Sequence, residues 1–143
     1  MKISTRGRYG IKAMVDLAQN SYNTDNKCVS LKSIAERQGI PENYLEQLMA
    51  SLKKAGIVNS VRGAQGGYVL NKQPEDISVG DLLKVLEGNI AIVDCLENQP
   101  PKKKCGTANC SKCNMIDAWK IISNKFEDAV NSISLKDLIQ EFE

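Results

Sequence analysis

Leu31-Lys32-Ser33-Ile34-Ala35-Glu36-Arg37-Gln38-Gly39-Ile40-Pro41-Glu42-Asn43-Tyr44-Leu45-Glu46-Gln47-Leu48 carries the signals of two helices and the turn between them. Ser30, immediately upstream, is an N-cap for a helix over Leu31–Gln38, and Gly39 stops it. Pro41 suits the first position of the next helix, which runs to Ala55 with Gly56 ending it in a left-handed conformation. Tyr44, Leu45, Leu48, Met49 and Leu52 share one face of that helix and predict its buried stripe. Two helices joined by a short glycine-containing turn form the helix-turn-helix pattern, which many helical hairpins share.

The residues that follow narrow the choice. Ile57–Arg62 is rich in β-branched residues and alternates, so it reads as a strand. Gly63-Ala64-Gln65-Gly66-Gly67 reads as a turn and Tyr68-Val69-Leu70 as the return strand. A hairpin directly after the second helix of the pair is the wing of a winged helix. The glycines let its tip take positive φ and approach another backbone closely.

Upstream, Ile11, Met14, Val15, Leu17 and Ala18 give a helix over about Thr5–Asn20, and a polar loop follows from Ser21 to Asn26. Downstream, Pro74-Glu75-Asp76 reads as a turn, and Ser78-Val79-Gly80-Asp81 as a capping box opening a helix over Val79–Glu87, closed by Gly88. Residues 89–114 show no periodicity. Met115, Trp119, Ile122, Phe126, Ala129 and Ile133 are then spaced 4, 3, 4, 3, 4, a heptad seam. Such a helix packs on its own domain or pairs with its copy, and the small core elsewhere favours a homodimer. Ser134-Leu135-Lys136-Asp137 caps a last helix that packs Leu135, Leu138, Ile139 and Phe142. The expected fold is therefore mainly α with a small β-hairpin. It divides into a winged helix-turn-helix domain over 1–88, a cysteine-rich loop over 89–114, and a long dimerisation helix with a C-terminal helix over 115–143.

Composition bounds the function. Of 143 residues 42% are apolar, with two Phe and one Trp, so the core is aliphatic. No stretch approaches the roughly 20 apolar residues of a membrane span. Met1-Lys2-Ile3-Ser4-Thr5-Arg6 lacks the apolar run of a signal peptide, which makes the expected location cytoplasmic, with no membrane partner. With no histidine in the chain and no phosphate-cradling loop, an enzyme is not expected. Residues 1–72 hold 11 Lys/Arg against 5 Asp/Glu, whereas 73–143 hold 8 against 12, so the front half suits a polyanion.

A helix-turn-helix places the start of its second helix in the major groove of double-stranded DNA, and a dimer reads a palindromic operator. Asn43 and Gln47 match the edge of adenine, and Glu46 can accept from cytosine N4. Tyr44 is expected half-buried, its hydroxyl reaching a phosphate. Lys2, Arg6, Arg8, Lys12, Lys53 and Lys54 suit phosphate contacts, which position without specifying. At the wing, Arg62 suits the narrow minor groove, with Gly63, Gln65 and Gly66 at the same tip.

Four of five cysteines follow the order Cys95-x9-Cys105-x4-Cys110-x2-Cys113. The C-x4-C-x2-C part has the spacing of plant-type iron–sulfur sites. A four-cysteine zinc site also satisfies it, as do thiols that form a regulatory disulfide. Lys102, Lys103, Lys104 and Lys112 favour the thiolate form that all three need. Cys28 stands apart and is expected to be a small buried apolar residue.

The opening Met1–Gly10, Tyr44-Leu45-Glu46-Gln47-Leu48, Val61-Arg62-Gly63-Ala64-Gln65-Gly66-Gly67-Tyr68 and Ile77-Ser78-Val79-Gly80-Asp81 together resemble the Rrf-two family of bacterial regulators, along nearly the whole chain. The resemblance implies a homodimer of winged helices with crossed long helices. For members of the cluster-binding type it implies a 2Fe–2S or 4Fe–4S cluster in the loop, 2Fe–2S being favoured here. Cys95 and Cys113 sit where the first and third family cysteines fall, with Cys105 or Cys110 between them. The histidine that completes the site in one family type is here Ile116, and the acidic ligand of another type is Arg8. An all-cysteine site of Cys95, Cys105, Cys110 and Cys113 is the expectation, controlling iron–sulfur or cysteine and sulfur metabolism genes. The cysteine-metabolism type adds an alternative, a zinc-stabilised or cluster-free regulator that binds a cysteine-biosynthesis enzyme.

Overall fold

A computed structural model describes residues 2–21, 28–93, 96 and 114–141, the side chains of residues 140 and 141 excepted. Cys95, Cys105, Cys110, Cys113, the lysines beside them, Phe142 and most of the expected polar loop lie outside the described residues.

The described elements run α1 (Thr5–Ser21), α2 (Leu31–Gln38), α3 (Glu42–Lys54), β1 (Val58–Val61), β2 (Gly67–Leu70), a 3-10 turn (Pro74–Asp76), α4 (Val79–Glu87), α5 (Ile116–Asn131) and α6 (Leu135–Glu141). The architecture is the mainly helical winged fold read from the sequence. Local rules set most of the boundaries. Ser30 Oγ accepts from Ser33 N at the start of α2, and Gly39 closes it at φ 64°. Ser78 and Asp81 close a full capping box on α4, at 3.0 and 3.2 Å. Ser134 and Asp137 repeat that exchange at α6, at 2.9 and 3.1 Å. Asp137 is consequently held below the usual carboxylate range by the hydrogen bonds from Ser134.

The boundaries of α3 and of the hairpin strands differ from the sequence reading. Pro41 is the cap preceding α3 rather than its first residue, and Ala55 is the cap beyond its end. In the hairpin, Val61 pairs with Gly67 and Val58 with Leu70, so the turn is Arg62–Gly66 and Gly67 belongs to the return strand. The reason lies outside the hairpin. Val29 bridges Tyr68 through Val29 N to Tyr68 O at 2.9 Å and Tyr68 N to Val29 O at 2.8 Å. A third extended segment thus extends the pairing at β2, and a Cβ on Gly67 would collide with the Val29 backbone.

One aliphatic core joins these elements. Met14 and Leu17 of α1, Ile34 of α2, Leu45, Leu48, Met49 and Leu52 of α3, Val58 of β1 and Leu82 of α4 are fully enclosed. Leu135 and Ile139 of α6 belong to the same cluster, so the end of the described chain returns to the helices that begin it. Two hydrogen bonds stitch that return: Val79 N to Ile133 O and Leu135 N to Ile77 O, both 2.8 Å. The beginning of α4 lies against the end of α5, where Gly80 faces Asn131 with no room for a Cβ.

A buried ion pair ties α1 to α2. Asp16, 2% exposed, accepts from Arg37 Nη2 at 2.6 Å and Nε at 3.0 Å, from Gln38 Nε2 at 2.8 Å and from Asn20 Nδ2 at 3.2 Å. Hydrogen bonding to Asp16 raises the Arg37 pKa above its ordinary value.

Candidate nucleic-acid interface

α3 presents two faces. Leu45, Leu48, Met49 and Leu52 are buried, while Glu42, Asn43, Glu46, Gln47, Ala50, Lys53 and Lys54 are exposed. The exposed set follows helical spacing and makes one continuous surface, with Asn43, Glu46 and Gln47 toward its start. The positive charges gather at the other end, where they also oppose the helix dipole. Tyr44 is half-buried, and its ring meets Tyr9 edge-on at 5.9 Å and 80°. Lys12 Nζ sits 6.0 Å from the Tyr9 ring, so one basic group of α1 is held beside α3.

The hairpin is fastened to that helix. Lys53 Nζ donates to Ser60 Oγ of β1 at 2.6 Å. Tyr68 of β2 lies within the field of Glu46, and burial together with that carboxylate raises its phenol pKa. Arg62, Gly63, Ala64 and Gln65 are exposed at the tip, where Gly63 takes φ 120° and Gly66 N donates to Gly63 O at 3.0 Å. The α3 surface and the wing tip are thus carried on one rigid unit, as a helix in a groove flanked by a wing requires.

Lys2 and Arg8 are exposed, and Arg8 Nη2 makes a 3.3 Å bond to Thr5 Oγ1. Arg6 is half-buried, with Nε on Leu86 O and Nη2 on Ser51 Oγ. Cys28 is half-buried rather than enclosed as expected, because it lines a cleft with Ser30, Ser33, Arg37 and Gln65. Sequence reasoning missed Val29 as a partner of the wing. Its β-branched side chain was the available signal, but a single residue has no periodicity to read.

Among the described residues, no group of three or more Asp, Glu or Cys can hold a metal ion. Arg8 is bonded to Thr5, and Ile116 is half-buried at the start of α5. No helix among the described residues is long and apolar enough to cross a membrane.

Known proteins share this arrangement. The profile of the Rrf2 family, described as "Iron-dependent Transcriptional regulator", matches residues 3–141. The HTH-type transcriptional regulator CymR of Bacillus subtilis is 41% identical over 138 residues, 96% of this chain and 89% of that one. The solved structure of CymR, described as the global cysteine regulator of B. subtilis, superposes with a TM-score of 0.75 at 40% identity, over 99% of this chain and 98% of that one. The IscR structure of T. potens superposes at 0.72 and 43% identity, over 100% and 89%. With its winged helix-turn-helix, and with relatives named as transcriptional regulators, this chain is a DNA-binding transcriptional regulator that belongs to the Rrf2 family.

Proposed function

We propose that the chain is a sequence-specific regulator acting as a homodimer on a palindromic operator, its DNA binding modulated by an iron–sulfur cluster on Cys95, Cys105, Cys110 and Cys113. The observation that carries this reading is the donor set: four thiols at C-x9-C-x4-C-x2-C spacing in a chain without histidine. When bound, the cluster supplies a redox-sensitive centre. Held by these cysteines, the cluster would join residue 95, which follows α4 in the sequence, to residue 113, which precedes α5. Such a tie would bear on how α5 meets its copy, and hence on the distance between the two α3 helices. DNA affinity is sensitive to that distance. Anaerobic purification followed by an absorption spectrum and iron and sulfide analysis is the test. Removing the metal should change affinity for duplexes selected from a random library at least tenfold, roughly 1.4 kcal/mol of coupling. Equal binding by apo and loaded protein contradicts the reading.

Dimerisation through α5 has support in the exposed apolar side chains of Ile122, at 48% within the helix, and of Met115 and Ile133, at 46% and 39% beside its two ends. Within α5 only Ser123 is buried. Ile122→Glu should leave the winged helix folded, convert the species seen in sedimentation to a monomer, and reduce operator affinity. A dimer of unchanged mass in that variant counts against α5 as the seam.

On the DNA side, Asn43, Glu46 and Gln47 read bases, Tyr44 and Lys2, Arg8, Lys12, Lys53 and Lys54 meet phosphates, and Arg62 with Gly63, Gln65 and Gly66 enters the minor groove. Arg62→Ala should weaken operator binding by roughly 1–3 kcal/mol and relax preference at one position. Lys53→Ala should weaken all duplexes alike and lower the salt slope by about one. Unchanged binding in both variants contradicts this docking.

The 41% identity to CymR favours one second reading. In it the loop holds zinc or no metal, and the regulator responds to cysteine supply by binding a cysteine-biosynthesis enzyme. Zinc without sulfide in the purified protein, and capture of such an enzyme, would select it.

A further inference from the structure

Arg6 lies in the first turn of α1, yet its guanidinium reaches two other helices. Nε donates to Leu86 O at 3.0 Å, and Nη2 donates to Ser51 Oγ at 2.7 Å. Leu86 is in the last turn of α4, where helix carbonyls have no intrahelical partner. Ser51 is on α3, and its hydroxyl donates in turn to Gln47 O at 3.2 Å. The end of α4 is gripped a second time nearby, where Ser4 N and Oγ donate to Glu87 Oε1 at 2.8 and 2.7 Å.

We propose that Arg6 is a positioning residue for DNA reading, which acts by holding the recognition helix α3 against the end of α4. The proposal rests on the DNA-binding role of α3. An arginine that serves a phosphate keeps its donors in solvent, whereas Arg6 spends one edge of its fork inside the protein. Nε and Nη2 lie on that one edge, so a single planar group satisfies a carbonyl and a hydroxyl side by side. A lysine ammonium is a point charge on a flexible stem and does not reproduce this geometry. Through Ser51 the bridge reaches the turn of α3 that carries Gln47, one of the side chains on the reading face. Through Leu86 it reaches the point from which the chain leaves for the cysteines. Arg6 therefore gives the reading face one orientation relative to the root of that segment.

The experiment compares Arg6→Lys, Arg6→Ala, Ser51→Ala and the Arg6→Ala/Ser51→Ala pair, each measured well below its own melting temperature. The probes are a duplex selected by the wild-type chain from a random library and an unrelated duplex, titrated over a range of salt. Arg6→Lys and Arg6→Ala should both lose affinity for the selected duplex about tenfold. Binding to the unrelated duplex and the salt slope should stay as in the wild type. Ser51→Ala should cost affinity alone but add little in the Arg6→Ala background, the signature of one shared interaction. Wild-type affinity in Arg6→Lys, or a salt slope lowered by about one in Arg6→Ala, makes Arg6 a phosphate ligand and overturns the proposal. So do additive losses, or variants that melt earlier but bind the selected duplex normally. A wild-type chain that selects no duplex would instead overturn the DNA-binding reading itself.

Discussion

Asp16→Ala is expected to lower folding stability by about 3 kcal/mol, the low end of what breaking a buried ion pair costs. The carboxylate is 2% exposed and takes donors from Arg37, Gln38 and Asn20. Removing it leaves a guanidinium and two amides facing a hole. The low end applies because the Arg37 side chain is 40% exposed and stays partly hydrated. A loss of that size moves the melting temperature by roughly 10 °C in a chain of this length. Arg37→Ala should cost a comparable amount, since it strands the carboxylate with only neutral amides. The double variant should cost less than the sum. Chemical unfolding at one fixed protein concentration is the check, so that any self-association weighs equally on every variant. Asp16→Ala within 1 kcal/mol of wild type, or strict additivity with Arg37→Ala, would show that the pair does not fasten α1 to α2. DNA binding should weaken too, because Arg37 and Gln38 end α2 just before the turn into α3.

Gly67→Ala is the second large effect. The added Cβ would meet the carbonyl of Val29 and the Cα of Ser30, both backbone atoms with nowhere to go. Relief requires β2 to part from Val29, breaking the hydrogen bonds at 2.9 and 2.8 Å. Overpacking and two lost backbone bonds together cost about 3 kcal/mol. The wing would then keep its β1 ladder, the Val58 side chain in the core and the Lys53–Ser60 bond, but lose the third extended segment at β2. Operator affinity should fall about a hundredfold, with the loss concentrated at the positions proposed above for Arg62. Gly63→Ala is the matched control. Gly63 sits at φ 120° with open space around it, so its cost is backbone strain of about 1–3 kcal/mol without any detachment from Val29. If Gly67→Ala binds as well as Gly63→Ala does, the Val29 pairing is not what aims the wing.

The legible parts of this fold are those decided within a few residues. The caps at Ser30, Ser78 and Ser134 involve partners three positions away, and all three are present. The buried stripe of α3 follows from helical spacing alone, as does the apolar row along α5, where Ile122 and Ala129 are exposed and Trp119 and Phe126 half-buried. The illegible parts join residues far apart. Asp16 and Arg37 are 21 positions apart, and Arg6 and Leu86 are 80 apart. Val29 and Tyr68 are bridged across the whole recognition unit. No periodicity announces such pairs, and a charged residue on an amphipathic helix reads as solvated until its partner is known. The exposed face of α3 is visible from spacing, whereas the inward turn of the Arg6 fork is not. The cysteine site rests on spacing and family likeness.

The stitch at Ser78 and Ser134 has a further meaning. It closes the base of a long excursion, so the helices that read DNA keep their core whatever lies at the far end. Lengthening a closed segment costs only about 0.6 kcal/mol per doubling. The stretch of chain between α4 and α5 thus works as an exchangeable cartridge, able to change length at small cost while the frame that carries α3 is left intact.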